Sequence, residues 1–200
     1  MRRPKETRSE TGRELVDADL IERCKQGDER AWAQLVEATH REVYTLCLRI
    51  LRDPSDAADA TQDAYVKAWR GLSGFRGDSL FSTWLYRIAS NAAISRHRSR
   101  KRRRSHETGA EDEMYDEVAA PGVVEDAAAA RLDVADLEKA LGRLPEHYRA
   151  AVVLRDVYGF SMAEVASQLH ITETAAKVRV HRGRKKLKEM VYGTSEVGDG

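Results

Sequence analysis

Apolar positions recur along this chain at helical spacing, and polar blocks interrupt them. Over residues 28–52, Trp32, Leu35, Val36, Val43, Leu46, Cys47 and Ile50 share one face of a 3.6-residue repeat. The pattern predicts a long amphipathic helix with Asp28 as its N-cap. Asp53-Pro54 restarts the chain, because aspartate suits an N-cap and proline suits the first helical position. Ala57, Thr61, Ala64, Ala68 and Leu72 then form the stripe of a second helix that ends at Gly71 or Gly74. A glycine-containing charged loop, residues 74–79, leads to a third long helix from about Phe81, with Trp84, Leu85, Ile88 and Ala92 on its apolar face. The second half reads as four helices over 131–141, 145–157, 162–169 and 173–190. One of these starts is sharply marked: Ser161-Met162-Ala163-Glu164 is a capping box. No strand alternation and no internal repeat stands out, so the expected class is all-α.

Charge distribution divides these helices into two small domains. The formal net charge is only +1, but its layout is uneven. Seven of the nine residues 96–104 are Arg or Lys, whereas residues 105–130 hold eight acids and no Lys or Arg. That acidic, small-residue stretch with Pro121-Gly122 buries too little apolar surface to offset its ordering entropy, so a flexible linker is expected there. The expected organisation is a disordered arm (1–14), a first domain (15–104), the linker (105–130), a second domain (131–192) and a tail (193–200). Cys24 and Cys47 lie far apart, with no CxxC and no histidine at ligand spacing. They are read as small buried hydrophobes, and no metal or cofactor is expected. No apolar run reaches membrane-spanning length and the N-terminus has no signal-peptide core, so a cytoplasmic protein is expected.

The final helix pair has helix-turn-helix form, with Ala166 at the expected point of close approach. Its second helix carries Lys177, Arg179, His181, Arg182, Arg184, Lys185, Lys186 and Lys188, while Ala176, Val180 and Leu187 remain for the core. Such a helix suits the DNA major groove: cations near its start can reach base edges, and later ones can neutralise phosphates. A merely solvated basic face is the plainer reading. The 96–104 block is dense enough in like charge to favour a polyanion partner, although a solubilising charged tail would have the same composition. Upstream, Thr83, Arg87 and Asn91 recur every four residues on one face. Phe75 and Arg76, with Tyr86 and Trp84 nearby, mix aromatics with cations as single-strand binding requires. Trp84 also fits a core position. Asp56, Asp59 and Asp63 fall at i, i+3 and i+7 beside Gln62, which makes an acidic stripe either for a basic partner or for solvent.

Taken in order, these segments resemble a known family. Asp56-Ala57-Ala58-Asp59-Ala60-Thr61-Gln62-Asp63-Ala64-Tyr65, Ala68-Trp69, Phe75-Arg76-Gly77-Asp78 and Thr83-Trp84-Leu85-Tyr86-Arg87-Ile88-Ala89-Ser90-Asn91 are similar to region 2 of extracytoplasmic-function sigma factors. Leu144-Pro145-Glu146-His147-Tyr148-Arg149, Gly159-Phe160-Ser161 and Lys177-Val178-Arg179-Val180-His181-Arg182-Gly183-Arg184 are similar to their region 4. The resemblance implies that Asp56, Asp59, Gln62 and Asp63 bind the clamp helices of the β′ subunit within core RNA polymerase, whose β and β′ subunits are the expected partners. It implies that Phe75, Arg76, Thr83, Arg87, Asn91 and Arg98 open and read the minus-10 element of promoter DNA. Lys177, Val178, His181 and Arg182 would face minus-35 bases, with Arg184 and Lys185 near phosphates, and the acidic linker would thread the polymerase's RNA path. An anti-sigma factor that covers these surfaces, and a monomer when the chain is free, are also implied.

His170 departs from the family's frequent glycine in the turn, where a left-handed residue costs about 1 kcal/mol or more. Val178 and Ala175-Ala176 depart as well, which leaves the preferred minus-35 sequence open. Two other readings stay open at this point. A stand-alone helix-turn-helix regulator would explain the second half but leaves the acidic stripe, aromatic loop and linker without roles, and no heptad seam marks a dimer. A metal-dependent nuclease lacks a compact carboxylate or histidine cluster and a phosphate-binding glycine loop.

Overall fold

The computed structural model describes residues 16–108 and 134–192, and among these every regular element is helical. Side-chain caps set most of the helix starts. Asp17 accepts from Leu20 N at 2.7 Å to begin α1 (Ala18–Lys25). Asp28 Oδ1 accepts from Arg30 N and Ala31 N to begin α2 (Glu29–Leu51), and its other oxygen takes the Arg23 guanidinium at 2.8 Å. Asp53 accepts from Asp56 N at 2.8 Å, and Pro54 opens α3 (Pro54–Gly71). A 3₁₀ turn (Leu72–Gly74) and a short loop then lead into α4 (Phe81–Thr108). Each cap occupies an amide that the helix itself leaves unpaired.

Helices α2, α3 and α4 enclose the first core. The buried face of α3 is Ala57, Ala60, Thr61, Ala64, Tyr65 and Ala68, and α4 contributes Phe81, Leu85, Ala89, Ala92 and Ala93. Small side chains let these helices approach closely, while Leu35, Val43, Leu46 and Ile50 of α2 fill the space between them. Cys24 and Cys47 are buried free thiols, as expected of small apolar fillers, and burial pushes the Cys47 thiol up to about 11. The buried hydroxyls of Thr39 and Tyr65 satisfy one another at 2.8 Å.

The second unit comprises α5 (Val134–Arg143), α6 (Glu146–Val152), α7 (Met162–Leu169) and α8 (Glu173–Tyr192). Helix α6 continues into a π-helical turn (Val153–Val157), so the single helix expected over 145–157 is present with a widened last turn. The capping box forms as read: Ser161 N donates to Glu164 Oε2 at 2.7 Å and Glu164 N to Ser161 Oγ at 3.2 Å. His170 closes α7 in the left-handed region, at φ 53° and ψ 49°. Ala166 is buried in the core as expected, but the tightest approach belongs to Gly183. A Cβ there would lie 2.5 Å from Val152 Cγ2, so a bare helix position brings α8 onto α6.

Three features differ from the sequence reading. Helix α1 went unforeseen. Helix α4 runs to Thr108, past the expected start of the linker at residue 105, and the rest of that linker, the N-terminal arm and the tail lie outside the described residues. The two units also pack against one another, α2 on α6 and α4 on α7. Arg149 lies at that junction, 4% exposed, and donates to the Leu144 carbonyl at 2.9 Å and the Ile50 carbonyl at 3.2 Å.

Because the clashing Val152 is itself buried, Gly183→Val is expected to destabilise the chain by about 2 kcal/mol or more, from overpacking. Urea unfolding followed by circular dichroism measures this, and an unchanged midpoint would contradict the close approach.

Candidate nucleic-acid interface

Burial of Ala176, Val180 and Gly183 fixes the rotation of α8 and turns its opposite side to solvent. Thr172 Oγ1 caps its start by accepting from Ala175 N at 3.1 Å. Lys177, His181 and Lys185 are exposed, Val178 and Arg182 are half-buried, and all belong to the face expected to read DNA. Lys177 lies 3.0 Å from Glu173 one turn earlier, and such an exposed pair is weak enough to yield to a ligand. Arg184 is held more firmly: its Nε and Nη2 grip both oxygens of Asp156 at 3.0 and 2.6 Å. The expected phosphate contact of Arg184 therefore competes with an existing bidentate pair.

On α3 the acidic stripe divides into an inner and an outer part. Asp56 is mostly covered and receives Arg96 Nε and Arg100 Nη1, both at 2.7 Å. Those contacts hold its carboxyl below the usual range, the Arg96 hydrogen bond foremost, against the opposing effect of burial. Asp59 also pairs with Arg96 but stays half exposed, and Gln62 and Asp63 are exposed. The basic block is thus partly neutralised inside the chain: Arg96 and Arg100 face carboxylates, whereas Arg102 and Arg103 are exposed.

The third surface joins the loop after α3 to one face of α4. Phe75 is half-buried with its ring centroid 5.5 Å from Phe81 and 5.3 Å from Trp84, and Lys25 Nζ lies 5.9 Å from that centroid. Arg76 and Leu80 are exposed beside it, and Gly77 takes φ +79° to turn the loop. Thr83, Arg87 and Asn91 share the expected face of α4. Asn91 is exposed, but Arg87 pairs with Glu164 of α7, and Arg98 Nη2 donates to the Leu169 carbonyl at 2.6 Å. The expected residues are therefore brought together, with part of their face covered by the second unit.

The sequence reading missed one further surface. An open groove of about 920 Å³ runs between α2 and α3, lined by Trp32, Val36, Tyr44, Tyr65, Val66 and Trp69, and it reaches Gln62 of the acidic stripe. Trp32 and Trp69 meet edge to face with centroids 4.9 Å apart. Val66 and Trp69 at i, i+3, opposite Trp32 and Val36 at i, i+4, carried the signal: more apolar stripe than the alanine-lined core can use.

Comparison with known proteins identifies both helical units. Residues 35–103 match the family model for Sigma-70 region 2, and residues 135–187 match that for Sigma-70, region 4. The ECF RNA polymerase sigma factor SigW of Bacillus subtilis (strain 168) is 32% identical over 183 residues, covering 89% of this chain and 98% of SigW. SigM of Mycobacterium tuberculosis (strain ATCC 25618 / H37Rv), also an ECF RNA polymerase sigma factor, is 36% identical over 178 residues, covering 89% of this chain and 86% of SigM. Among solved structures, the sigma factor RpoE of Bartonella quintana, in complex with the anti-sigma factor NepR, matches with a TM-score of 0.56 and 27% identity over 80% of this chain and 96% of that chain. CnrH, in complex with the cytosolic domain of CnrY, gives 0.54 and 25% over 88% and 97%.

Glu146, at the start of α6, gives the site a defined acid response. His97 Nε2 meets its carboxylate, Arg100 lies at 3.5 Å and Arg149 at 4.0 Å. The His97 hydrogen bond is the largest influence lowering Glu146 from 4.5 to about 2. A depressed folded-state value means that this group's contribution is complete above about 4.5 and is lost as the pH falls towards about 2. Denaturant titrations of wild type and Glu146→Gln should differ at neutral pH and converge at the acid end of that window. A gap that persists unchanged through it would contradict the ion-pair account.

Proposed function

The chain belongs to the extracytoplasmic-function branch of the sigma-70 family of transcription initiation factors, and from that premise we propose how its surfaces divide the work of initiation. The first unit, taken as residues 15–104 with α4 continuing beyond it, binds core RNA polymerase through Asp59, Gln62 and Asp63. The adjoining aromatic groove adds apolar area, and Asp56 acts mainly by holding Arg96 and Arg100 in place. The second unit, residues 131–192, docks α8 in the major groove of the minus-35 element. Lys177, Val178, His181 and Arg182 face its bases, and Arg184 and Lys185 its phosphates. Phe75, Arg76, Thr83, Arg87, Asn91 and Arg98 engage the minus-10 strand once the duplex opens.

The observation that carries this reading is a capped helix-turn-helix with an outward basic face in one chain with an acid-striped helical unit. Each surface alone is a modest binder. Tethering makes the second contact effectively intramolecular, so a promoter that offers both elements is selected over one that offers either. RpoE and CnrH were each solved with a partner, an anti-sigma factor in the case of RpoE, which supports an anti-sigma factor for this chain too. The factor is taken to act as a monomer, in the compartment that holds the polymerase. Among the described residues no helix is long and apolar enough to cross a membrane.

Run-off transcription from a promoter library with core polymerase tests the assignment. Wild type is expected to start transcripts at defined sites. Asp59→Ala/Asp63→Ala should weaken polymerase binding about tenfold, the scale of losing interfacial charge contacts. Lys177→Ala/His181→Ala should keep polymerase affinity but lose upstream discrimination, by about 1–3 kcal/mol for each base contact removed. A chain that neither binds nor redirects core polymerase, yet still binds duplex DNA, would instead be a stand-alone helix-turn-helix regulator.

A further inference from the structure

Helix α1 precedes residues 35–103, the span that matches Sigma-70 region 2. It touches the 3₁₀ turn that follows α3 and leads into the loop carrying Phe75 and Arg76. Lys25, the last residue of α1, places its ammonium over the Phe75 ring, 5.9 Å from the centroid. The same ring packs on Phe81 and Trp84. Lys25 thus borders an aromatic cluster whose neighbours Arg76 and Leu80 are open to solvent.

The fold holds this end of α1 in place. Arg23 Nε and Nη2 grip Asp28 Oδ2 at 3.1 and 2.8 Å, while the other oxygen of Asp28 caps α2. Gly27 makes the turn between the two helices at φ +85°, and Ile21 and Cys24 anchor the inner face of α1. Two plainer roles would account for a lysine at this position: the dipole at a helix C-terminus, and the pair with Glu22 at 3.4 Å. Neither accounts for how far it is covered. The Lys25 side chain is 26% exposed, against 51% for Lys177 and 72% for Lys139, which also pair with an acid one turn away on their own helices. Part of its stem is covered, and its ammonium is drawn to the Phe75 ring.

We propose that Lys25 extends the strand-reading surface from the loop onto α1, where its ammonium takes a backbone phosphate next to the base engaged at Phe75. This rests on the initiation reading for the use of Phe75 and Arg76 by a single strand, but not for the placement of Lys25. Single-strand surfaces combine a π face for the base with cations for the backbone. Phe75, Arg76 and Lys25 supply both within one loop and the helix end beside it. Glu22 is 60% exposed, so it holds the ammonium through a solvent-screened contact that a phosphate can replace. A phosphate carries no base identity, so Lys25 adds affinity and fixes register without adding sequence preference.

The test uses holoenzyme assembled from core polymerase and the full chain, titrated over a range of salt concentrations. Its probe is a promoter duplex recovered by run-off transcription and pre-opened by mismatches over the minus-10 segment. Lys25→Met keeps an apolar stem beside the ring and removes the charge. It should weaken binding to this template about fivefold at low salt, and reduce the slope of log affinity against log salt by about 0.7, the share of one single-strand phosphate contact. Lys25→Arg should restore both values, and Glu22→Gln should raise affinity about twofold by freeing the ammonium. Core-polymerase affinity, measured in parallel, shows that each variant folds and assembles. Weaker binding with an unchanged salt slope would overturn the phosphate contact and reduce Lys25 to a support for Phe75. Wild-type affinity and slope in Lys25→Met would overturn the proposal outright. A wild-type holoenzyme that does not bind the pre-opened template would instead count against the initiation reading, so the two failures are told apart.

Discussion

Asp56 fastens α3 to α4 through a single shared carboxylate. It sits in the first turn of α3, capped there by Asp53, and accepts Arg96 and Arg100 from α4. Those two arginines are four residues apart on one helical face, where like charges repel by a few tenths of a kcal/mol. A shared, mostly covered carboxylate turns that repulsion into attraction. Arg100 and His97 extend the arrangement to Glu146 at the start of α6, so the same end of α4 ties α3 to the second unit. With part of its charge balanced in this way, α4 continues as one helix from Phe81 to Thr108. It thereby presents Thr83, Arg87, Asn91 and Arg98 on a rigid rod, which suits residues that must follow a strand over several turns.

The choice of small side chains in the first core has an equally direct consequence. Alanines at 57, 60, 64 and 68 on α3 and at 89, 92 and 93 on α4 draw these helices close. Little volume then remains between them for large rings. Phe81 fits wholly inside, but Trp32 and Trp69 are displaced to the outer seam of α2 and α3, where they line an open groove beside the acidic stripe. An interface of apolar area rimmed by exposed carboxylates results from how the core is packed, and it has the composition of a protein-binding surface.

Local chemistry made much of this legible in the sequence. Asp28, Asp53-Pro54 and the Ser161/Glu164 pair mark helix starts because their partners lie within four residues. His170 stands where the resembling family often has glycine, and it keeps the left-handed conformation there despite the cost to a residue with a Cβ. The outward face of α8 followed from Ala176, Val180 and Leu187, of which the first two are buried and Leu187 is half-buried. What escaped the reading depends on partners far away in the chain. Helix α1 buries only Ile21 and Cys24 over eight residues, too short a stripe to establish a period. Burial of Arg149 depends on a carbonyl 99 positions earlier. The basic block was read as awaiting a polyanion because Asp56, 40 and 44 residues upstream of its helical partners, is invisible to any local window. Its outer members, Arg102 and Arg103, do remain exposed as that reading expected.

Arg87 shows how the two units constrain one another. It lies on the face of α4 expected to meet single-stranded DNA, yet its carboxylate partner, Glu164, also closes the first turn of the helix that supports the DNA-reading α8. Glu164 therefore cannot be replaced simply to release Arg87, because the capping box would be lost with it and α7 would lose its defined start. Keeping both functions in one residue ties the integrity of the helix-turn-helix to its ability to dock on the first unit. Such a contact is selective only if it is weak enough to break on binding, and a partly exposed ion pair beside an unpaired Nε meets that condition. A stronger, fully satisfied junction would hold the chain in one shape, and the tether that makes two weak DNA contacts cooperative would have nothing left to move.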